Sequence, residues 1–303
     1  MKKAFLSAAA LILGTGSVLA ADLPVRMVTK APVVEPAQRV WDIAFGAGIA
    51  SDYVFRGITQ SNRGASPSAY FEPRYNLSPN WQLYAGIAGY GTDLPTSPSA
   101  EIDLYGGVRP TFGPLAFDFG FIYYYYPHET TLAAGTPAQL SDTDFYEGYA
   151  KVNWTINPIF SLGGNVYYSP DVLRTGAEGT YASITGKANL PALTTDIGWY
   201  LSGELGNYFL GNNNSRFFGA SINLPDYATW NVGLAFTYKV FTLDLRYYDT
   251  DLSKSDCAIL TGDPGSYPGG TASFANPGGL QSSWCGSAFV ARLSADLTLD
   301  NLK

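Results

Sequence analysis

The sequence predicts an all-β fold: a transmembrane, antiparallel, up-and-down β-barrel of about 12 strands, with short periplasmic turns and long extracellular loops. Three observations carry this. Side chains alternate apolar and polar with a period of two along segment after segment. The connections between segments alternate short and long. Hydrophobic content is 46% and aromatic content 15%, yet no stretch of the mature chain approaches the roughly 20 apolar residues of a spanning helix.

The chain opens with MKKAFLSAAALILGTGSVLA. Lys2 and Lys3 precede an apolar run from Ala4 to Leu13, and small residues lead to Ala20, which is the pattern of a signal peptide over residues 1–20, cleaved near Ala20 after Sec export. Gly14 and Gly16 interrupt the run, so it is too short to stay as a membrane helix. Residues 21–40 hold three prolines and no periodicity, and read as an extended periplasmic leader. The barrel then occupies 41–303.

Alternation starts at Trp41. Trp41, Ile43, Phe45, Ile49, Tyr53 and Phe55 share one face, while Asp42, Ala44, Gly46, Gly48, Ala50, Asp52 and Arg56 share the other. Read as one long strand, this puts Asp42, Asp52 and Arg56 inside. Residues 68–77 place Glu72 and Arg74 inside, with Pro73 suggesting a bulge. Residues 81–90 put Trp81, Leu83 and Ile87 outside. Residues 101–110 turn Glu101, Asp103 and Arg109 inward, and 115–126 turn Asp118 inward. In the second half, 146–154 contribute Glu147 and Lys151, and 160–168 contribute Asn165. Residues 182–190 contribute Lys187, and 197–209 contribute Glu204. The segment from Trp230 gives Lys239, 241–248 give Asp244 and Arg246, and the last segment gives Arg292 and Asp296.

Between these segments SPN (78–80), FGP (112–114), INP (156–158) and PALTT (191–195) are short, as is the turn at Val240. The connections at 57–65, 91–99, 127–143, 169–180, 211–228 and 250–286 are long. A sandwich gives no reason for that regularity; a barrel with unlike rims does. Aromatics gather at the segment ends: Tyr53, Phe55, Trp81, Tyr123, Tyr125, Trp154, Trp230 and Tyr247. They form the expected girdles at the two membrane–water boundaries. The run FGFIYYYYPHE fits there too, with Tyr123 and Tyr125 towards lipid headgroups and Tyr124 and Tyr126 towards a wet mouth.

Several pieces, SDYVFRGITQ (51–60), EIDLYGGVRP (101–110), FIYYYYP (121–127), DFYEGYAKV (144–152) and FTLDLRYYDTDLS (241–253), resemble the TorF-type porins of proteobacteria. They span nearly the whole mature barrel. The resemblance implies an outer-membrane β-barrel that passes solutes, and it brings no catalytic residues.

Ten inward acids face eight inward bases, so the lumen is nearly balanced. Either these charges line an aqueous channel, or they pair across strands into a polar plug and the barrel serves as a platform for its loops. The small residues Ala44, Gly46, Gly48 and Ala50 favour the channel if their space stays empty, although close backbone approach also selects such residues. Cys257 and Cys285 suit an oxidising compartment and form one candidate disulfide across the longest loop, 250–286, which is either a fold-in constriction or a stapled surface excursion. The single histidine, His128, lies on an outer loop, and no GxSxG motif occurs in the sequence, so no enzyme is expected. No cofactor and no metal site is expected either. A net charge of −7 without a Lys/Arg cluster speaks against nucleic acid. The expected partners are outer-membrane lipid and lipopolysaccharide, and small hydrophilic solutes or ions, with a homo-oligomer left open.

Overall fold

The computed structural model describes residues 39–130, 142–213, 221, 223–266 and 281–299. The signal peptide and nearly all of the leader lie outside the described residues, as does 267–280 of the longest loop. Twelve antiparallel strands close into a barrel: β1 (Trp41–Ala50), β4 (Ser66–Ser78), β5 (Trp81–Tyr90), β6 (Glu101–Phe112), β7 (Leu115–Tyr125), β8 (Phe145–Thr155), β9 (Phe160–Ser169), β10 (Gly179–Asn189), β11 (Ile197–Leu210), β12 (Tyr227–Tyr238), β13 (Phe241–Thr250) and β14 (Ala288–Thr298). Each strand pairs with its neighbours in sequence. The seam runs between β1 and β14, from Ala44 opposite Thr298 to Ala50 opposite Arg292. A two-stranded hairpin, β2 (Val54–Phe55) and β3 (Ile58–Thr59), stands apart from this sheet. Among the described residues one α-helix, α1 (Lys254–Thr261), begins at a Ser253 cap and ends at Gly262, whose φ is 61°.

The rims are unlike, as expected. One carries connections 79–80, 113–114, 156–159, 190–196 and 239–240; the other carries 51–65, 91–100, 126–144, 170–178, 211–226 and 251–287. The first reads as periplasmic and the second as extracellular. Alternation fixes register, because a one-residue slip would turn every apolar side chain inward. Phe71, Ile87, Leu104, Phe119, Phe121, Leu201, Leu205 and Val232 are accordingly exposed on the outer wall, the face that lipid covers. Trp81 and Trp154 lie outward at the periplasmic ends of their strands; Tyr125 and Trp230 lie outward at the extracellular ends. Tyr123 and Tyr247 are half-buried on the same outer face near the extracellular rim. The irregularity of β4 falls between Asn76 and Ser78 rather than at Pro73, which keeps its place opposite Ile43.

The inner face is packed with tyrosine. Eleven of the fifteen buried members of the main cluster are tyrosines, so aromatic rings rather than aliphatic chains fill this lumen. The strands make room with glycine. A Cβ on Gly46 would strike the ring of Tyr70, one on Gly86 the ring of Tyr105, and one on Gly120 the ring of Tyr149. In all three pairs the tyrosine lies directly opposite the glycine on the neighbouring strand. The small inward residues of β1 therefore do not mark empty volume, because a neighbouring side chain occupies the space at Gly46. That removes the sequence argument for an open channel.

Candidate functional site

The first strand stops at Ala50 instead of running on to Arg56. The chain then folds inward, and residues 51–65 sit in the extracellular mouth of the barrel. Arg56 (φ 47°) and Gly57 (φ 84°) form the two-residue turn between β2 and β3. Two successive left-handed residues match the right-handed twist of a tight hairpin. Glycine is required at 57 for a second reason: a Cβ there would collide with Thr229 and Thr250.

This hairpin overturns two of the girdle assignments. Tyr53 is 1% exposed and its hydroxyl donates to Glu101 Oε1 at 2.5 Å; Phe55 packs edge-on against Tyr124 at 5.8 Å between ring centroids. Neither faces lipid. Period-two alternation continues through both residues because a hairpin strand alternates like a wall strand.

Arg56 at the tip is fully buried. Its Nη1 and Nη2 donate to the two oxygens of Glu147 on β8, at 2.8 and 2.7 Å. Tyr124 donates to the same carboxylate at 3.0 Å. The guanidinium carbon lies 4.6 Å from the ring centroids of Phe55, Tyr181 and Tyr208, and 5.1 Å from that of Tyr167. A paired fork and aromatic faces together compensate the cost of burying this charge.

The base of the hairpin is held by polar contacts. Asp52 accepts from Thr59 Oγ1, from Ser61 Oγ at 3.0 Å and from Arg63 at 3.3 Å. Arg63 Nη2 also donates to the carbonyls of Ser283, Trp284 and Gly286. The Thr59 amide donates to the Trp284 carbonyl at 3.1 Å, and the Trp284 indole to Asn62 at 3.1 Å. Cys257 and Cys285 are disulfide-bonded. With Trp284 they form a small buried cluster against Ile58, Leu94 and Leu252. The disulfide and Trp284 thus lie on the hairpin, so the described part of the loop is not a free surface excursion.

Glu101 accepts from both Tyr53 and Tyr126. Burial first, and then the negative charge of Glu101, hold both hydroxyls protonated well above the ordinary tyrosine value. Tyr124 and Tyr126 do face inward as expected, but into packed surroundings and not a wet mouth. Asp103 is also fully buried, and both its oxygens lack a hydrogen-bond partner among the described residues.

Towards the periplasmic side, several of the predicted charges pair on the wall. Glu72 joins Arg74 (2.6 Å) and Arg109 (2.8 Å), Arg109 reaches Asp118 (3.2 Å), and Arg74 lies 3.8 Å from Asp42. Arg246 binds Asp244, Asn231 and Ser202. Arg292 stands opposite Asp244 in the ladder, and Asp296 accepts from Tyr70 at 3.2 Å. Lys151 and Lys187 lie over the rings of Tyr149 and Tyr200 at 4.6 and 3.7 Å. Glu204 accepts from Tyr181 at 2.9 Å. Lys239 is the exception among the bases: it is exposed in the two-residue turn 239–240 with φ 53°, off the lumen wall. The alternation of β12 simply ends one residue before it.

Sequence reasoning missed the cage tyrosines Tyr167, Tyr181 and Tyr208. The available signal was an inward tyrosine two residues along from a glycine on the next strand, as with Tyr181 against Gly206 and Tyr208 against Gly179. At the rim, His128 is exposed with its Nδ1 3.1 Å from Ser99 Oγ. Nearby, Glu129, Asp142 and Asp144 bring one oxygen each within 4.8 Å of one another. Their lone pairs are engaged by Thr96, Thr143, Tyr123, the Tyr126 amide and Arg174.

A family model described as a bacterial protein of unknown function (Gcw_chp) matches residues 35–266. No curated protein matches the sequence. Among solved structures, OmpT, an outer membrane protein of Vibrio cholerae, is 11% identical, with a TM-score of 0.38 over 88% of this chain and 100% of its own. The NanC porin is 10% identical, with a TM-score of 0.40 over 84% and 97%. LpxR from Salmonella typhimurium is 9% identical, with a TM-score of 0.39 over 84% and 99%. At these values the likeness carries no argument about what the chain does.

Proposed function

We propose that this chain, which belongs to the Gcw_chp family of bacterial proteins of unknown function, is an outer-membrane conduit for small hydrophilic solutes or ions, held closed by its own hairpin. One observation carries the reading: the element that fills the mouth is not part of the wall. Residues 51–65 leave the barrel after β1 and rejoin it at β4, and β2–β3 forms no ladder with any wall strand. Side-chain contacts and a few loop hydrogen bonds hold it, so it can leave while the closed sheet stays intact. The resemblance to TorF-type porins points the same way. Export by a cleaved signal peptide, and contact with outer-membrane lipid and lipopolysaccharide, belong to the same reading.

The paired lumen charges favour a second reading, a permanently plugged barrel that presents its extracellular loops. Planar-bilayer recording separates the two. Wild-type protein is compared with a variant in which residues 52–62 are replaced by a short Gly/Ser link. The conduit requires discrete conductance steps from the variant and rare or brief ones from the wild type. A variant that remains a heat-modifiable barrel and stays silent defeats the conduit and leaves the platform. A hydrolase would depend on the Ser99–His128 pair, and we assign no catalysis to it.

A further inference from the structure

We infer that the pocket occupied by the Arg56 side chain is a recognition site for guanidinium-bearing solutes, with the protein's own arginine as a tethered stand-in. The inference rests on the closed-conduit reading above. The geometry has two parts of different kinds. Glu147, Tyr124, Tyr167, Tyr181 and Tyr208 project from β7 to β11, five consecutive strands of the fixed wall. Of the groups around the guanidinium, Phe55 alone comes from the hairpin.

The walls suit one chemistry. A carboxylate meets the two terminal nitrogens at 2.8 and 2.7 Å, the spacing of a planar fork rather than of a compact ammonium. Aromatic faces stand at 4.6 to 5.1 Å from the guanidinium carbon, a cation–π distance. A buried ion pair of this kind is not needed for stability, since apolar residues of similar volume often serve as well. Nor is the occupant fully satisfied: Arg56 Nε has no hydrogen-bond partner among the described residues. Further spare capacity lies close by. Asp103 on β6 is opposite Tyr124 in the ladder, is fully buried, and has neither oxygen hydrogen-bonded among the described residues. The neighbourhood of the pocket therefore offers hydrogen-bond acceptors beyond those that Arg56 uses.

A tethered side chain competes at an effective concentration on the order of millimolar. A free guanidinium solute must then reach at least that level to displace Arg56 in the wild type, and binds unopposed once Arg56 is gone. The test uses the full-length protein in detergent or vesicles, with methylguanidinium as probe and urea and methylammonium as controls. In Arg56→Ala, calorimetric titration should show saturable methylguanidinium binding at least tenfold tighter than in the wild type. Urea should show none, and methylammonium should bind at least tenfold more weakly. Adding Glu147→Gln should weaken binding at least tenfold; if that variant does not fold, Tyr181→Leu in the Arg56→Ala background takes its place. Equal binding in wild type and Arg56→Ala, or binding indifferent to both Glu147→Gln and Tyr181→Leu, overturns the inference.

Bilayer currents keep the two ideas apart. An Arg56→Ala barrel that conducts but ignores methylguanidinium leaves the conduit standing and removes the recognition site. One that binds methylguanidinium through Glu147, but stays silent even with residues 52–62 replaced, supports the pocket and removes the passage.

Discussion

Replacing Arg56 by alanine should undock the hairpin without unfolding the barrel. Both members of the Arg56–Glu147 pair are 0% exposed, so solvent screening does not soften the loss. Breaking a buried pair by removing one partner costs about 3–5 kcal/mol, because the remaining charge stays buried without its counter-ion. At about 1.4 kcal/mol per factor of ten, the undocked population rises by roughly 10² to 10⁴. None of the barrel ladders uses the Arg56 backbone, so the effect should be local. Hydrogen–deuterium exchange reads it at three amides: Tyr53, which donates to Ser61 Oγ at 2.8 Å; Thr59, which donates to the Trp284 carbonyl at 3.1 Å; and Gln60, which donates to the Tyr53 carbonyl at 2.6 Å. Protection at these sites should fall by the stated factor while β8 and β12 are unchanged. Replacing both partners, Arg56→Met with Glu147→Met, should recover much of the lost protection. A change of less than about threefold at all three amides would refute the view that this pair holds the hairpin.

Three other expectations are simpler. Reducing Cys257–Cys285, which spans 28 residues, should remove about 3–4 kcal/mol of chain-entropy stabilisation from the loop; the Thr59 amide should exchange faster while heat-modifiability of the barrel persists. Gly120→Val should lower the urea midpoint by an amount equivalent to about 1–3 kcal/mol, because its Cβ lands on the Tyr149 ring, whereas Gly148→Ala, with nothing within 4 Å, should be nearly neutral. In single-tryptophan variants, brominated lipid should quench Trp154 and Trp230, which are 47% and 41% exposed on the outer wall, and spare Trp284, which is 5% exposed.

The wall was legible from the sequence because a strand between lipid and lumen must alternate, and alternation is visible without any fold. The inward set was also readable: Glu72, Arg74, Asp103, Glu147, Lys187 and Arg246 all lie inside. Alternation says nothing about where a strand belongs, so Tyr53 and Phe55 read as wall residues although they belong to an inserted hairpin. The punctuation was nonetheless present, in Ser51-Asp52 before the break and Arg56-Gly57 at the tip. Charge pairing was out of reach for a different reason. Arg56 and Glu147 are 91 residues apart, and their meeting depends on closure of the whole cylinder. Glycine read as vacancy failed likewise, since what fills the gap at Gly46 is Tyr70 on the adjacent strand.

The seam between β1 and β14 has a kinetic consequence. It joins residues about 250 positions apart in the chain, so the cylinder cannot be sealed before nearly all of its staves have been assembled. Every other ladder joins wall strands consecutive along the chain and can zip progressively from hairpins. Residues 51–65 emerge directly beside that last joint, where Ser51 already bonds to Ala291. Their docking against β7 to β11 becomes possible only as the sheet curls. Lodging of the arginine tip and sealing of the cylinder should therefore be late, coupled events, and an intermediate arrested before sealing would present open strand edges together with an unlodged tip.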